Sequence, residues 1–120
     1  MVYGQKRSTE SYHVTFHDDS GIRAIGSMEA ITYRDGTLCM ERVSWGSRDE
    51  YDRSADGEIE IIWSFDESNT KLVMLRTGTH NAYDMMQALE ERFSRYGEMA
   101  CDEIVKWCNS KGIKYKFHVR

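Results

Sequence analysis

The sequence predicts an α+β domain: an antiparallel sheet of five to six strands with two consecutive C-terminal helices packed on one face. Three observations carry this expectation. Apolar and polar residues alternate with period two through the first part of the chain, as in Tyr12, Val14 and Phe16 against His13, Thr15 and His17. Asp35-Gly36 forms a two-residue loop between two such runs, and a loop of that type closes hairpins because both residues accept positive φ. After Thr77-Gly78 the apolar spacing lengthens to about 3.6 residues, the helical period. Strands followed by helices describe a sheet with its helices segregated to one side.

The first strand starts at Ser11 and is stopped by Asp18-Asp19-Ser20-Gly21. Ile22 to Arg34 continues extended, and two apolar phases meet at Gly26 (Ala24 and Met28 against Ile25 and Ile31), which predicts a bulge there. Thr37 to Trp45 returns from the Asp35-Gly36 turn. A long polar connection runs from Gly46 to Asp56, and loops of such length are frequently functional. Glu58 to Phe65 alternates again, with Ile59, Ile61, Trp63 and Phe65 expected in the core. Asp66 to Thr70 reads as a turn and Lys71 to Thr77 as a fifth strand.

Ala82, Met85, Met86, Leu89, Phe93 and Tyr96 mark the first helix, with Asn81 or Thr79 as N-cap, Arg92 and Arg95 in its last turn and Gly97 as C-cap. Cys101, Ile104, Val105 and Cys108 form the stripe of the second, which Gly112 ends. Ile113, Tyr115, Phe117 and Val119 are then expected inward, and Lys114, Lys116, His118 and Arg120 outward, on a terminal strand with a basic face.

Composition limits the function classes. A chain of 120 residues with 40% hydrophobic and 30% charged residues suits one globular domain, here residues 1–120. Proline is absent, which excludes a PxxP ligand and a cis-proline site. No apolar run follows Lys6 and Arg7, and none is long enough to span a bilayer, so a cytoplasmic protein without a membrane association is expected. The three cysteines, Cys39, Cys101 and Cys108, lack metal or disulfide spacing. Cys101 and Cys108 read as small buried hydrophobes. No cofactor or metal site is expected.

Three constellations point to binding. Arg76-Thr77-Gly78-Thr79-His80-Asn81 is read as a strand-to-helix junction, where free N–H groups and side-chain donors suit phosphate or carboxylate, although Thr79 or Asn81 would equally serve as a helix cap. Residues 104–120 hold Lys106, Lys111, Lys114, Lys116 and Arg120 with no acid, a local charge of +5, which either receives an anion or protects an edge strand. Residues 49–67 hold eight carboxylates against Arg53 alone, a local −7 that suits a basic protein partner or simple solvation. The net charge of −4 and the lack of a nucleic-acid motif argue against DNA or RNA. His13 and His17 lie about 13 Å apart on an extended strand, too far to chelate one metal, and no nucleophile or metallohydrolase motif is present.

In element order alone, an antiparallel sheet followed by two helices resembles small phage-encoded counter-defence proteins, including those that sequester cyclic ADP-ribose-type signals. The resemblance implies sequestration without catalysis. The residues themselves suggest a non-enzymatic protein that captures a small anionic ligand, a nucleotide or cyclic nucleotide among the candidates. Arg76, Thr79, His80 and Asn81 are expected to hold phosphate, Tyr83 or Tyr115 to stack on a base, and Lys114, Lys116 and Arg120 to complete a positive wall. The alternatives are a protein-interaction or inhibitor module using the acidic 49–67 region and a small hydrolase. A sheet covered on one face also leads to the expectation of a homo-oligomer.

Overall fold

The computed structural model describes residues 11–19, 25–46 and 58–120. Among these residues five strands, β1 (Ser11–Asp18), β2 (Gly26–Arg34), β3 (Thr37–Trp45), β4 (Ile59–Phe65) and β5 (Lys116–Val119), form one antiparallel sheet in the order β1-β2-β3-β4-β5. Three α-helices, α1 (Glu67–Thr77), α2 (Ala82–Phe93) and α3 (Ala100–Ser110), separate β4 from its neighbour β5 in sequence. The α+β class is therefore as expected, including the two consecutive C-terminal helices, α2 and α3. A 3-10 segment (Ser94–Met99) joins them. The polar connection after Gly46 and the carboxylates Asp49, Glu50, Asp52 and Asp56 lie outside the described residues.

The hairpin forms where the sequence places it. Asp35 and Gly36 take φ of 53° and 88° between the paired residues Arg34 and Thr37. Inward residues of successive strands then line up across the sheet: Val14 faces Ile31, Ile31 faces Met40, and Met40 faces Trp63. This row meets Met85, Leu89, Ile104 and Cys108 from the helices in one buried cluster.

Four local expectations are corrected. Lys71–Thr77 is the body of α1, not a strand. The run Leu72-Val73-Met74-Leu75 looks like a buried strand, but Asp66 accepts a hydrogen bond from Asn69 N at its start and Gly78, at φ 72°, closes its end. Of that run only Val73 is fully buried, and Leu75 remains 66% exposed. Second, the strand irregularity lies in β1 between Thr15 and His17, not at Gly26. It sets His17 opposite Glu29 instead of leaving it in the row of His13 and Thr15. Third, α2 ends at Phe93, and Gly97 marks the kink before α3 instead of capping α2 directly.

The fourth correction concerns β5. Only Ile113 of its expected inward residues is buried, while Phe117 and Val119 are 59% and 52% exposed. Ile59 on neighbouring β4 is exposed as well. The helices pack chiefly over β1 to β4, so the apolar face of the edge strand extends beyond their cover. Ile113 is buried earlier, where its N–H bonds Cys108 O at 3.0 Å in the turn that ends α3.

A buried ionic cluster fixes α3 to the sheet. Glu29 is fully buried, yet its carboxylate accepts from Arg42 Nε at 2.5 Å and from Cys101 N at 2.9 Å. Arg42 Nη2 reaches Asp102 Oδ2 at 2.8 Å. No side chain of its own caps the start of α3, so a carboxylate from β2 supplies the acceptor that a local Ser or Asp usually provides. Burial alone depresses the Arg42 guanidinium, but hydrogen bonds and charge from Glu29 and Asp102 push it above the usual arginine range.

Candidate functional site

Among the described residues, a cleft of about 480 Å³ that brings two lysines together lies at the end of the sheet that carries the β2–β3 turn. Volumes of roughly 300–1,000 Å³ are typical of small-molecule sites. Three pieces of chain meet there: the start of β3, the junction of β4 with α1, and the segment leading into β5. Leu38, Phe65 and Tyr115 supply an apolar wall, while Lys114, Lys116, Asn69 and the Asp66 carboxylate supply polar groups, two cations against one anion. The Phe65 and Tyr115 ring centroids are 5.7 Å apart, and Tyr115 Oη donates to Asn109 Oδ1 at 3.1 Å.

Asn69 organises this corner. Its Oδ1 accepts from Lys114 N at 2.8 Å, which ties the approach to β5 to the first turn of α1. Its backbone N–H and its Nδ2 both donate to Asp66 Oδ1 at 2.9 Å. These hydrogen bonds, with the charge of Lys116 adding a smaller contribution, hold the Asp66 carboxyl below the usual carboxylate range. Asp66 thus stays ionised as the cap of α1. Lys116 pairs with Ser64 across β4 and β5, and Ser64 pairs with Cys39 on β3, so the cleft opens beside the face of the sheet opposite the helices.

The expected site residues are divided by the fold. Lys114 and Lys116 line the cleft together. Arg120 lies four residues beyond Lys116, about 13 Å along an extended strand, and its Nη1 pairs with Glu60 Oε1 at 3.2 Å. Arg76 is in the last turn of α1, and Thr79, His80 and Asn81 join two helices instead of a strand and a helix. Seven residues of α1, about 10.5 Å of helix axis, separate Arg76 from Asn69, and the junction lies beyond the end of that helix. Tyr83 packs on Tyr12 of β1 with centroids 5.9 Å apart, whereas β5 is the opposite edge of the sheet, about 19 Å away at the usual strand spacing.

Local bonds occupy the helix junction. Asn81 Oδ1 caps α2 by accepting from Asp84 N at 2.8 Å. Thr79 N bonds Met74 O at 3.0 Å, and the Thr77 and Thr79 hydroxyls lie 3.0 Å apart. Local hydrogen bonds therefore occupy Thr79 and Asn81. Sequence reasoning missed Asn69, for which the Asp66-x-x-Asn69 spacing of a helix start was the available signal.

Other chemistry-bearing groups are placed as follows. On the sheet face opposite the helices, Glu41 and Glu60 interact diagonally across β3 and β4, and desolvation, followed by the Glu60 charge, raises the Glu41 carboxyl above its ordinary range. His13 Nδ1 and Nε2 lie 3.0 and 3.1 Å from the Thr32 and Thr15 hydroxyls. Cys39, Cys101 and Cys108 are free thiols, the latter two buried as expected. No group of His, Cys, Asp and Glu among the described residues is arranged to hold a metal ion. No helix among them is long and apolar enough to cross a membrane. Comparisons with known protein families, with curated proteins and with solved structures found no match to this chain.

Proposed function

We propose that the protein captures a small anionic ligand, of the nucleotide or cyclic-nucleotide class, in the cleft between β3, β4, β5 and the start of α1. The observation that carries this reading is the convergence of Lys114 and Lys116 with Tyr115, whose ring rests against the buried Phe65, in one concavity. Two ammonium groups suit phosphate, and an aromatic wall suits the planar part of the same molecule. The ligand is held, not converted, in keeping with the sequestration implied by the resemblance in element order. Arg76, Thr79, His80, Asn81, Tyr83 and Arg120 stand outside this site.

Isothermal calorimetry against nucleoside mono-, di- and triphosphates and cyclic dinucleotides tests the proposal. At least one should bind with micromolar affinity, and Lys114→Gln with Lys116→Gln should weaken it tenfold or more while Arg76→Gln leaves it unchanged. Absence of binding across that panel, or binding indifferent to both lysines, would overturn the assignment.

A further inference from the structure

We propose that a second, separate surface, the groove between the C-terminal end of α2 and α3, docks an extended acidic segment of a protein partner. Arg92 and Arg95 read its carboxylates. The groove measures about 380 Å³ and is open, bordered by Arg92, Arg95, Lys106 and Glu103 around the rings of Tyr96 and Trp107. Three cations against one carboxylate give it a local charge of +2 in a chain whose net charge is −4.

Its architecture is built outward from one buried ring. Phe93 is 4% exposed and packs edge-on against Trp107 at 5.8 Å and tilted against Tyr96 at 6.3 Å. Each of these outer rings carries a guanidinium: Arg92 Cζ lies 5.5 Å from the Trp107 ring centre and Arg95 Cζ 5.1 Å from that of Tyr96. Stacking restrains two otherwise mobile side chains, so less entropy is lost when their N–H forks engage an acid. Among the described residues neither arginine forms an ion pair, while the one carboxylate, Glu103, is taken by Lys106 at 3.2 Å. Arg95 spends one donor on Tyr96 Oη, at 3.2 Å.

The same geometry selects the occupant. Each outer ring contacts Phe93 and has an arginine lying over it, so what the groove offers a partner is a pair of guanidinium forks. The groove therefore reads charge. Arg92 lies in the last turn of α2 and Arg95 in the 3-10 segment that follows, three residues on and therefore roughly 5–6 Å away along the axis, and alternate residues of an extended chain lie roughly 6.6 Å apart on one side. Acids at alternate positions of an extended peptide thus match Arg92 and Arg95, each taking a bidentate carboxylate.

Fluorescence anisotropy with a labelled (Glu-Gly)4 peptide tests the proposal, with (Gln-Gly)4 as control. The acidic peptide should bind, weaken with added salt, and shift the Trp107 indole N–H in a nitrogen-proton NMR spectrum. Arg92→Gln with Arg95→Gln should lower affinity at least tenfold with an unchanged melting temperature, since both side chains are exposed. The double lysine substitution should retain intermediate affinity, having the charge without the fork. Lys114→Gln with Lys116→Gln should leave binding within twofold. Binding that survives loss of both arginines, or depends instead on Lys114 and Lys116, overturns the proposal. So does no binding at millimolar peptide, or a Trp107 shift caused by a nucleotide and not by the peptide. Self-association abolished by the arginine substitutions would assign the groove to a second copy of the chain and equally overturn it.

Discussion

Glu29 and Arg42 face each other across β2 and β3, and this pair holds the start of α3, because the Glu29 carboxylate bonds Arg42 Nε and Cys101 N together. Glu29 has no exposed side-chain surface, while Arg42 retains 21%. Removing one partner strands the other. Arg42→Met should leave Glu29 buried with a single N–H donor from the protein and cost about 3–5 kcal/mol, the usual penalty for an orphaned buried charge. Urea denaturation at pH 7 measures it. Glu29→Leu combined with Arg42→Met should recover a large part of the loss, because an apolar pair leaves no uncompensated charge. A double variant as unstable as Arg42→Met alone would show that capping of α3, not charge burial, dominates.

That cluster also shows where sequence reading stops. Alternation located β1, β2, β3 and β4, and the Asp35-Gly36 turn set the β2–β3 register, because these are local properties of consecutive residues. No local pattern marks Glu29 and Arg42 as a buried ion pair within their strands. Their burial depends on Cys101, 72 residues from Glu29 along the chain. Helix α1 was misread for a different reason: its central run is apolar at four consecutive positions, so strand and helix periods cannot be distinguished there. The caps Asp66 and Gly78 carried the missing information. The cleft was half legible, since the basic alternation identified Lys114 and Lys116. Asn69 entered only through folding, and the distance between β5 and the α1–α2 junction depended on a strand order that no local pattern encodes.

Gly26 is required by close approach. A Cβ there would lie 2.8 Å from Trp45 Cζ2 and 2.9 Å from Asp19 O, and the second contact is backbone. Gly26→Ala should therefore destabilise the domain by about 1–3 kcal/mol, the range for overpacking. The double variant with Trp45→Leu should regain only part of this, because removing the indole leaves the clash with Asp19 O. Thermal denaturation followed by circular dichroism checks both, and full recovery would place the whole clash on the ring.

The buried thiols predict an alkaline limit to stability. Burial pushes Cys108 from the ordinary 9.0 up to about 12, and burial, followed by the Glu29 charge, pushes Cys101 higher still. The unfolded chain releases these protons near 9.0 while the folded chain keeps them. Their contribution to stability is full below pH 9.0, then falls as pH rises toward 12. The slope is about 1.4 kcal/mol per pH unit for each thiol. Replacing Cys108 by Ala should make the decline shallower by about one such slope, measured against the parent so that tyrosine and lysine titration cancels. A disulfide-exchange reagent at pH 8 should leave both thiols unmodified until the protein unfolds.

Asn69 provides a test that links fold to site. Its Oδ1 is the acceptor for Lys114 N at 2.8 Å, and its own N–H and Nδ2 hold the Asp66 cap. Asn69→Ala removes the first contact and the side-chain half of the second, and should cost about 1–2 kcal/mol of stability, as expected for hydrogen bonds of this kind. It should also speed hydrogen exchange at Lys114 N and weaken the binding proposed for the cleft. Asn69→Asp keeps an acceptor for Lys114 but places a carboxylate beside Asp66 and loses the Nδ2 donor, so it should protect Lys114 N from exchange while raising the Asp66 pKa. If both variants exchange at Lys114 at the parent's rate, β5 is held in place by its pairing with β4 alone, and Asn69 is only a helix cap.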